Sequence, residues 1–151
     1  MNPERIARRC AEIMWPDDHA ARGLGIEIIK VGPGTATLAM AVRQDMVGGH
    51  GTCHGGFIFA LADSAFAYAC NSFNHRAVAA GVDINFIAPA HLGDRLTAHG
   101  HARHQGGRSG TYDIEVENQQ GKLIAIVRGR STRIKGHFFE TSDNAPPPEG
   151  R

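Results

Sequence analysis

A chain of 151 residues, 42 % of them hydrophobic, is long enough for one domain with its own core and needs no metal or disulfide staple. Its net charge of +1 provides no broad field for nucleic acid or an anionic membrane, so any bound anion must be met by a local cluster of donors. The cysteines Cys10, Cys53 and Cys70 are odd in number and form no C-x-x-C pair, which argues against a disulfide framework or a zinc knuckle.

Met1 to Arg9 is charged and has no apolar h-region, so no signal peptide is expected. Asn2-Pro3-Glu4 reads as an N-cap, a proline at the first helical position and an acid in the first turn. Ile6, Cys10, Ile13 and Met14 then recur at helical spacing, and Pro16 ends that helix. Asp17 is expected to cap a short second helix that Gly23 closes. Ile26, Ile28 and Val31 lead into the turn Gly32-Pro33-Gly34. Beyond it Ala36, Leu38, Met40 and Val42 alternate with Thr35, Thr37, Ala39 and Ala41, a hairpin with one buried face. Residues 43–53 are a glycine-rich loop.

The stretch from about Gly55 to Phe73 is apolar almost all round, rich in alanine and free of proline, and Asp63 interrupts it, so it is no membrane span. It predicts a helix buried on every side, which in so small a domain calls for a sheet wrapped round it. Four strands follow, at about 77–88, 95–105, 110–118 and 122–134, with short breaks that make them antiparallel neighbours. The predicted fold is therefore α+β: a six-stranded, curved antiparallel sheet around one long buried helix, the hotdog arrangement. A single domain is expected over 1–135, N-terminal helices 1–24 included, and 136–151 is expected to be a disordered tail. The open sheet edges predict at least a dimer, and the setting expected is cytoplasmic, with no nucleic-acid or membrane partner.

Asp63 is the one charged residue between His54 and His75. A carboxylate in an apolar helix has a partner, a raised pKa or a chemical task. His54-Gly55-Gly56 opens the same helix, where the first N–H groups lack intrahelical acceptors and the helix dipole favours negative charge. Without a side chain, Gly55 lets a carbonyl approach its amide, a candidate oxyanion donor. His54 is assigned a positioning role. Eight residues, about 12 Å of helical rise, separate Asp63 from Gly55. The two can act on one carbon only if two antiparallel copies of the helix lie side by side.

The run from His54 to Ser72 closely resembles hotdog-fold thioesterases of the PaaI, phenylacetyl-CoA thioesterase type. So do Arg103-His104-Gln105-Gly106, Tyr112-Asp113-Ile114-Glu115, Asn118-Gln119-Gln120 and Arg128-Gly129, and the resemblance spans roughly Leu24 to Ile134 in order. It implies hydrolysis of acyl-CoA thioesters, aryl-acetyl and hydroxylated aryl-acetyl groups preferred, without metal or cofactor. Asp63 is implied as nucleophile or general base, and the Gly55 amide as the group that polarises the carbonyl. A homotetramer built from dimers is implied, with sites at the dimer interface. The substrate-binding set carries Gly48, His50, Gly56, Phe66, Arg103, Arg128 and Arg130, the arginines facing the CoA phosphates. The chain departs from the family at Gly48, where an asparagine commonly stands six residues ahead of the histidine; either His50 substitutes for it or the rate suffers. A family serine near the start of the third strand is replaced by Ala79 and Ala80. His99 and His101 share a strand face but have no acidic or cysteine partner at a ligand spacing, so no metal site is expected. The rival classes are a non-catalytic acyl-CoA-binding module, in which Gly48 marks lost activity, and a dehydratase or hydratase, which would want a His and carboxylate pair.

Overall fold

The computed structural model describes residues 1–141. Helix α1 (Pro3–Met14) starts as its sequence demands: Asn2 Oδ1 accepts from the Arg5 N–H at 2.9 Å, and Pro3 takes the first position. A 3₁₀ turn at Trp15–Asp17 leads to α2 (His19–Gly23). The cap of α2 is Asp18, not Asp17, with Oδ1 accepting from the Ala21 N–H at 3.1 Å. Pro16 draws Asp17 into the 3₁₀ turn and moves the cap one residue on.

Strands β1 (Glu27–Gly32) and β2 (Thr35–Ala41) form the expected hairpin, and Gly34 turns the chain with φ +70°. Helix α3 (Gly55–Cys70) and strands β3 (Ala77–Phe86), β4 (Arg95–Gln105), β5 (Ser109–Glu117) and β6 (Leu123–Arg133) complete the chain. The six strands form one antiparallel sheet in the order β1-β2-β4-β5-β6-β3. Helix α3 touches all six, so the sheet curls round it as a hotdog fold does.

Two glycines set how closely helix and sheet approach. A Cβ on Gly100 in β4 would lie 3.3 Å from the Ala65 carbonyl oxygen, and one on Gly129 in β6 would overlap the Phe66 ring. The core is built from Leu38, Met40, Leu61, Phe66, Tyr112 and Ile114, all buried. Helix α3 stops at Cys70 because the Asn71 side chain substitutes for the next turn, accepting from Ala77 N–H at 2.9 Å and donating to Ala77 C=O at 3.1 Å.

Two expectations need correction. Helix α3 is not buried on every side: Gly56 is exposed, and Phe59, Ala60, Asp63 and Ala67 form a half-buried strip along the side the sheet leaves open. The beginning of the expected tail is docked, with Asn74 Oδ1 accepting from the N–H groups of Phe138 (2.9 Å) and Phe139 (3.2 Å), and Arg76 lying over the Phe138 ring. The remainder of the expected tail, 142–151, lies outside the described residues. Among the described residues no helix is long and apolar enough to cross a membrane.

Candidate active site

The loop before α3 is held from both sides. Val47 and Cys53 bridge across it, His54 N–H donates to Met46 C=O at 2.8 Å, and Cys53 N–H donates to Ala90 C=O at 2.8 Å. Gly51, at φ +76°, closes the tight turn, its N–H donating to Gly48 C=O at 3.0 Å. These contacts fix the first turn of α3, where His54 is extended (φ −61°, ψ 137°) and offers no side-chain cap. The first N–H groups of this 16-residue helix, those of Gly55 and Gly56 included, therefore have no side-chain cap from His54 among the described residues.

Asp63 stands in the open strip of α3. It is half-buried and has no hydrogen bond or ion pair among the described residues. Burial pushes its carboxyl above the ordinary carboxylate range, and the negative charge of Asp18 pushes in the same direction. Asp18 is fixed by two bonds: Oδ1 caps α2, and Oδ2 accepts from the Tyr68 hydroxyl at 3.0 Å. Burial, with Asp18 beside it, raises the Tyr68 phenol as well, so Tyr68 stays protonated as the donor. Cys70 lies one turn beyond Ala67. Its thiol is pushed up to about 12, chiefly by burial with the Asp63 charge adding to it, so it is inert as a nucleophile. A half-buried carboxylate with a raised pKa and no partner is suited to act as base or nucleophile.

The other predicted residues divide. His54 and Gly48 are brought together: a Cβ on Gly48 would lie 2.8 Å from His54 Nε2, so the imidazole fills the space next to Gly48. His50 is exposed and makes no hydrogen bond among the described residues, so no contact of its own stands in for the family asparagine. Phe66 is 1 % exposed and packs on Tyr112 at 5.6 Å between ring centroids and on Gly129. It is a core residue out of reach of substrate, because its helical position turns it into the sheet.

The arginines lie on the sheet face away from α3. Arg128 makes a two-point pair with Asp113, at 2.7 and 2.8 Å, and Arg103 approaches the same carboxylate at 3.6 Å. The Arg128 bond holds the Asp113 carboxyl below its ordinary range. Cross-strand register pairs Arg128 with Asp113, a relation that linear spacing hides. Arg130 is exposed and has no carboxylate partner among the described residues. His99 and His101 do have acidic partners, Glu117 at 3.0 Å and Glu115 at 3.2 Å, again across the strands. Among the described residues no group of three or more potential metal ligands forms.

Sequence reasoning missed Asp18, Tyr68 and Phe86. Asp18 and Tyr68 are fifty residues apart, and only folding joins them. Phe86 ends β3 with its ring against the first residue of α3, so that a Cβ on Gly55 would lie 2.7 Å from Phe86 Cζ. An aromatic residue at a strand end beside a break was the only local sign of it.

The family model of the thioesterase superfamily matches residues 50–125. The chain is similar to acyl-coenzyme A thioesterase PaaI of Escherichia coli K12, at 50 % identity over 126 residues, 83 % of this chain and 90 % of the relative. The solved structure of E. coli PaaI, from the phenylacetic acid degradation operon, superposes with a TM-score of 0.89 at 47 % identity, covering 90 % of this chain and 99 % of that one. A mutant form of the phenylacetic acid degradation protein PaaI of Thermus thermophilus gives 0.73 at 38 % identity over 76 % of this chain and 97 % of that one. A hypothetical thioesterase of Streptococcus pneumoniae TIGR4, solved with coenzyme A, gives 0.70 at 26 % identity over 74 % of this chain and 90 % of that one.

Proposed function

The chain belongs to the thioesterase superfamily, and from that premise we propose that it is an acyl-CoA thioesterase that releases an aryl-acetic acid, phenylacetate or a hydroxylated derivative, and CoA. The likeness to E. coli PaaI supports the acyl-CoA class, and its operon supports the aryl-acetyl group. The observation that carries the mechanism is the unpartnered, half-buried Asp63 on the helix whose first amides have no side-chain cap from His54.

The thioester carbonyl accepts a hydrogen bond from Gly55 N–H, with Gly56 beside it, at the positive end of α3. Asp63 either attacks the carbonyl carbon or takes a proton from a water that does. In both routes the C–S bond breaks, CoA leaves as the thiolate and takes up a proton, and water supplies the oxygen that completes hydrolysis. His54 holds the loop side of the helix start, its ring resting on Gly48. Arg130 is the arginine of the predicted set free to meet a CoA phosphate, since Arg103 and Arg128 face Asp113.

The active unit is a homodimer, paired again into a tetramer. Strand β3 is a sheet edge with Val78, Val82 and Phe86 exposed, and α3 keeps an uncovered strip beside it. A second chain added along β3 continues the sheet and lays the two α3 helices antiparallel. This arrangement sets Asp63 of one chain near Gly55 of the other.

The test is CoA release, followed with a thiol reagent, over a panel of acyl-CoAs. Phenylacetyl-CoA and its hydroxylated derivatives are expected to turn over fastest, and Asp63→Asn to lose at least about a hundredfold in kcat. No CoA from any aryl-acetyl-CoA, or a near wild-type rate in Asp63→Asn, refutes the reading.

A further inference from the structure

A large ring normally leaves water for the core, yet Phe86 keeps 53 % of its surface exposed while touching Gly55. Its strand position explains why. Phe86 pairs with Ala125 and Val82 with Gly129, both buried, so Phe86 and Val82 point to the sheet face that holds α3. At this edge the helix does not cover them. Phe86 thus stands at the exposed sheet edge with its ring against the first residue of α3, the helix that also carries Asp63.

The placement of the ring restricts what can bind there. Its Cζ, Cε1 and Cε2 atoms all lie within 3.2 Å of where a Gly55 Cβ would stand, so the ring closes that side of the first helical residue. A carbonyl oxygen bound at Gly55 N–H has its attached groups next to this ring. Aromatic rings favour other rings in offset or edge-to-face contact over saturated chains.

We propose that Phe86 is a specificity-determining residue of this site: its ring forms the wall against which the acyl group beside the thioester carbonyl lies, and it selects aryl-acetyl over straight-chain acyl groups. This rests on the thioesterase reading above. Phe66, the aromatic residue of the expected substrate-binding set, is sealed in the core.

The experiment is kcat/KM for phenylacetyl-CoA and for hexanoyl-CoA in the wild type, Phe86→Ala, Phe86→Leu and Phe86→Tyr, with oligomer mass and melting temperature for each. Phe86→Leu keeps an apolar side chain at the edge and serves if Phe86→Ala fails to assemble. The phenylacetyl-to-hexanoyl ratio is expected to fall by about two- to tenfold in Phe86→Leu and Phe86→Ala and to stay within about twofold in Phe86→Tyr. An equal loss for both substrates overturns the proposal, because the ring then only packs the helix start or meets the pantetheine arm common to both. An unchanged ratio in an assembled variant overturns it too. Failure of the thioesterase reading looks different: the wild type itself releases no CoA from either substrate.

Discussion

Asp63 sits where the fold pays for holding a charge. Its carboxyl is raised above the unfolded value, first by burial and then by Asp18, so the folded state binds the proton more tightly than the unfolded chain does. Above the folded pKa the ionised group therefore destabilises the protein. As pH falls through the folded pKa the penalty shrinks, and it is gone below the unfolded pKa, where both states are protonated. Asp63→Asn is expected to melt higher than wild type at about pH 7, with the advantage vanishing towards about pH 4, as calorimetry across that range would register. Equal melting temperatures at neutral pH would show that the carboxylate is solvated or paired. The same raised pKa places the acid limb of the kcat/KM profile above the ordinary aspartate range, and Asp18→Asn is expected to move that limb down. Gly48 makes a second test. An asparagine there has to displace the His54 ring, since even a Cβ would lie 2.8 Å from Nε2. Gly48→Asn is thus expected to cost up to roughly a hundredfold in kcat/KM for phenylacetyl-CoA by disturbing the residue before Gly55, and a gain in rate would show that the ring yields without consequence.

Helix α3 and the strands under it explain both what could be read in advance and what could not. Gly129 leaves the room that Phe66 fills, so Gly129→Ala overpacks the centre of the core and is expected to cost about 1–3 kcal/mol in chemical denaturation with an unchanged m-value. The same contact shows why the sequence misplaced Phe66. An apolar helix without a polar face carries no phase, and nothing in the run Phe57 to Tyr68 says which aromatic faces the sheet and which faces the opening. The element order, the strand positions and the N-cap Asn2 were legible, because alternation, glycine turns and capping are local signals. The ties from Arg128 to Asp113 and from His101 to Glu115 were not, because they depend on register between β4, β5 and β6. Asp63, Gly55 and His54 were legible as a candidate group, because the isolated charge and the glycine pair stand on one continuous segment.

At the scale of the whole molecule the proposed mechanism needs two chains for each site. Asp63 and Gly55 lie about 12 Å apart along α3, too far to meet on one thioester carbon. The half-buried strip of α3 and the exposed edge β3, with Val78 and Val82 facing water, are the surfaces on which the proposed dimer is built. The small residue Ala67 and the exposed Gly56 in that strip permit close approach of two helices. Complementation tests this. Asp63→Asn chains are mixed with Gly55→Val chains, whose added side chain must displace the Phe86 ring, under conditions that allow subunit exchange. A mixed dimer then holds one site with both lesions and one intact site, so activity is expected to return to about half of wild type per mixed dimer. Exchange is checked by mass, and each variant alone is expected to stay near background. If exchange is complete and no activity returns, the two groups do not act across the interface, and Asp63 works with an oxyanion donor of its own chain.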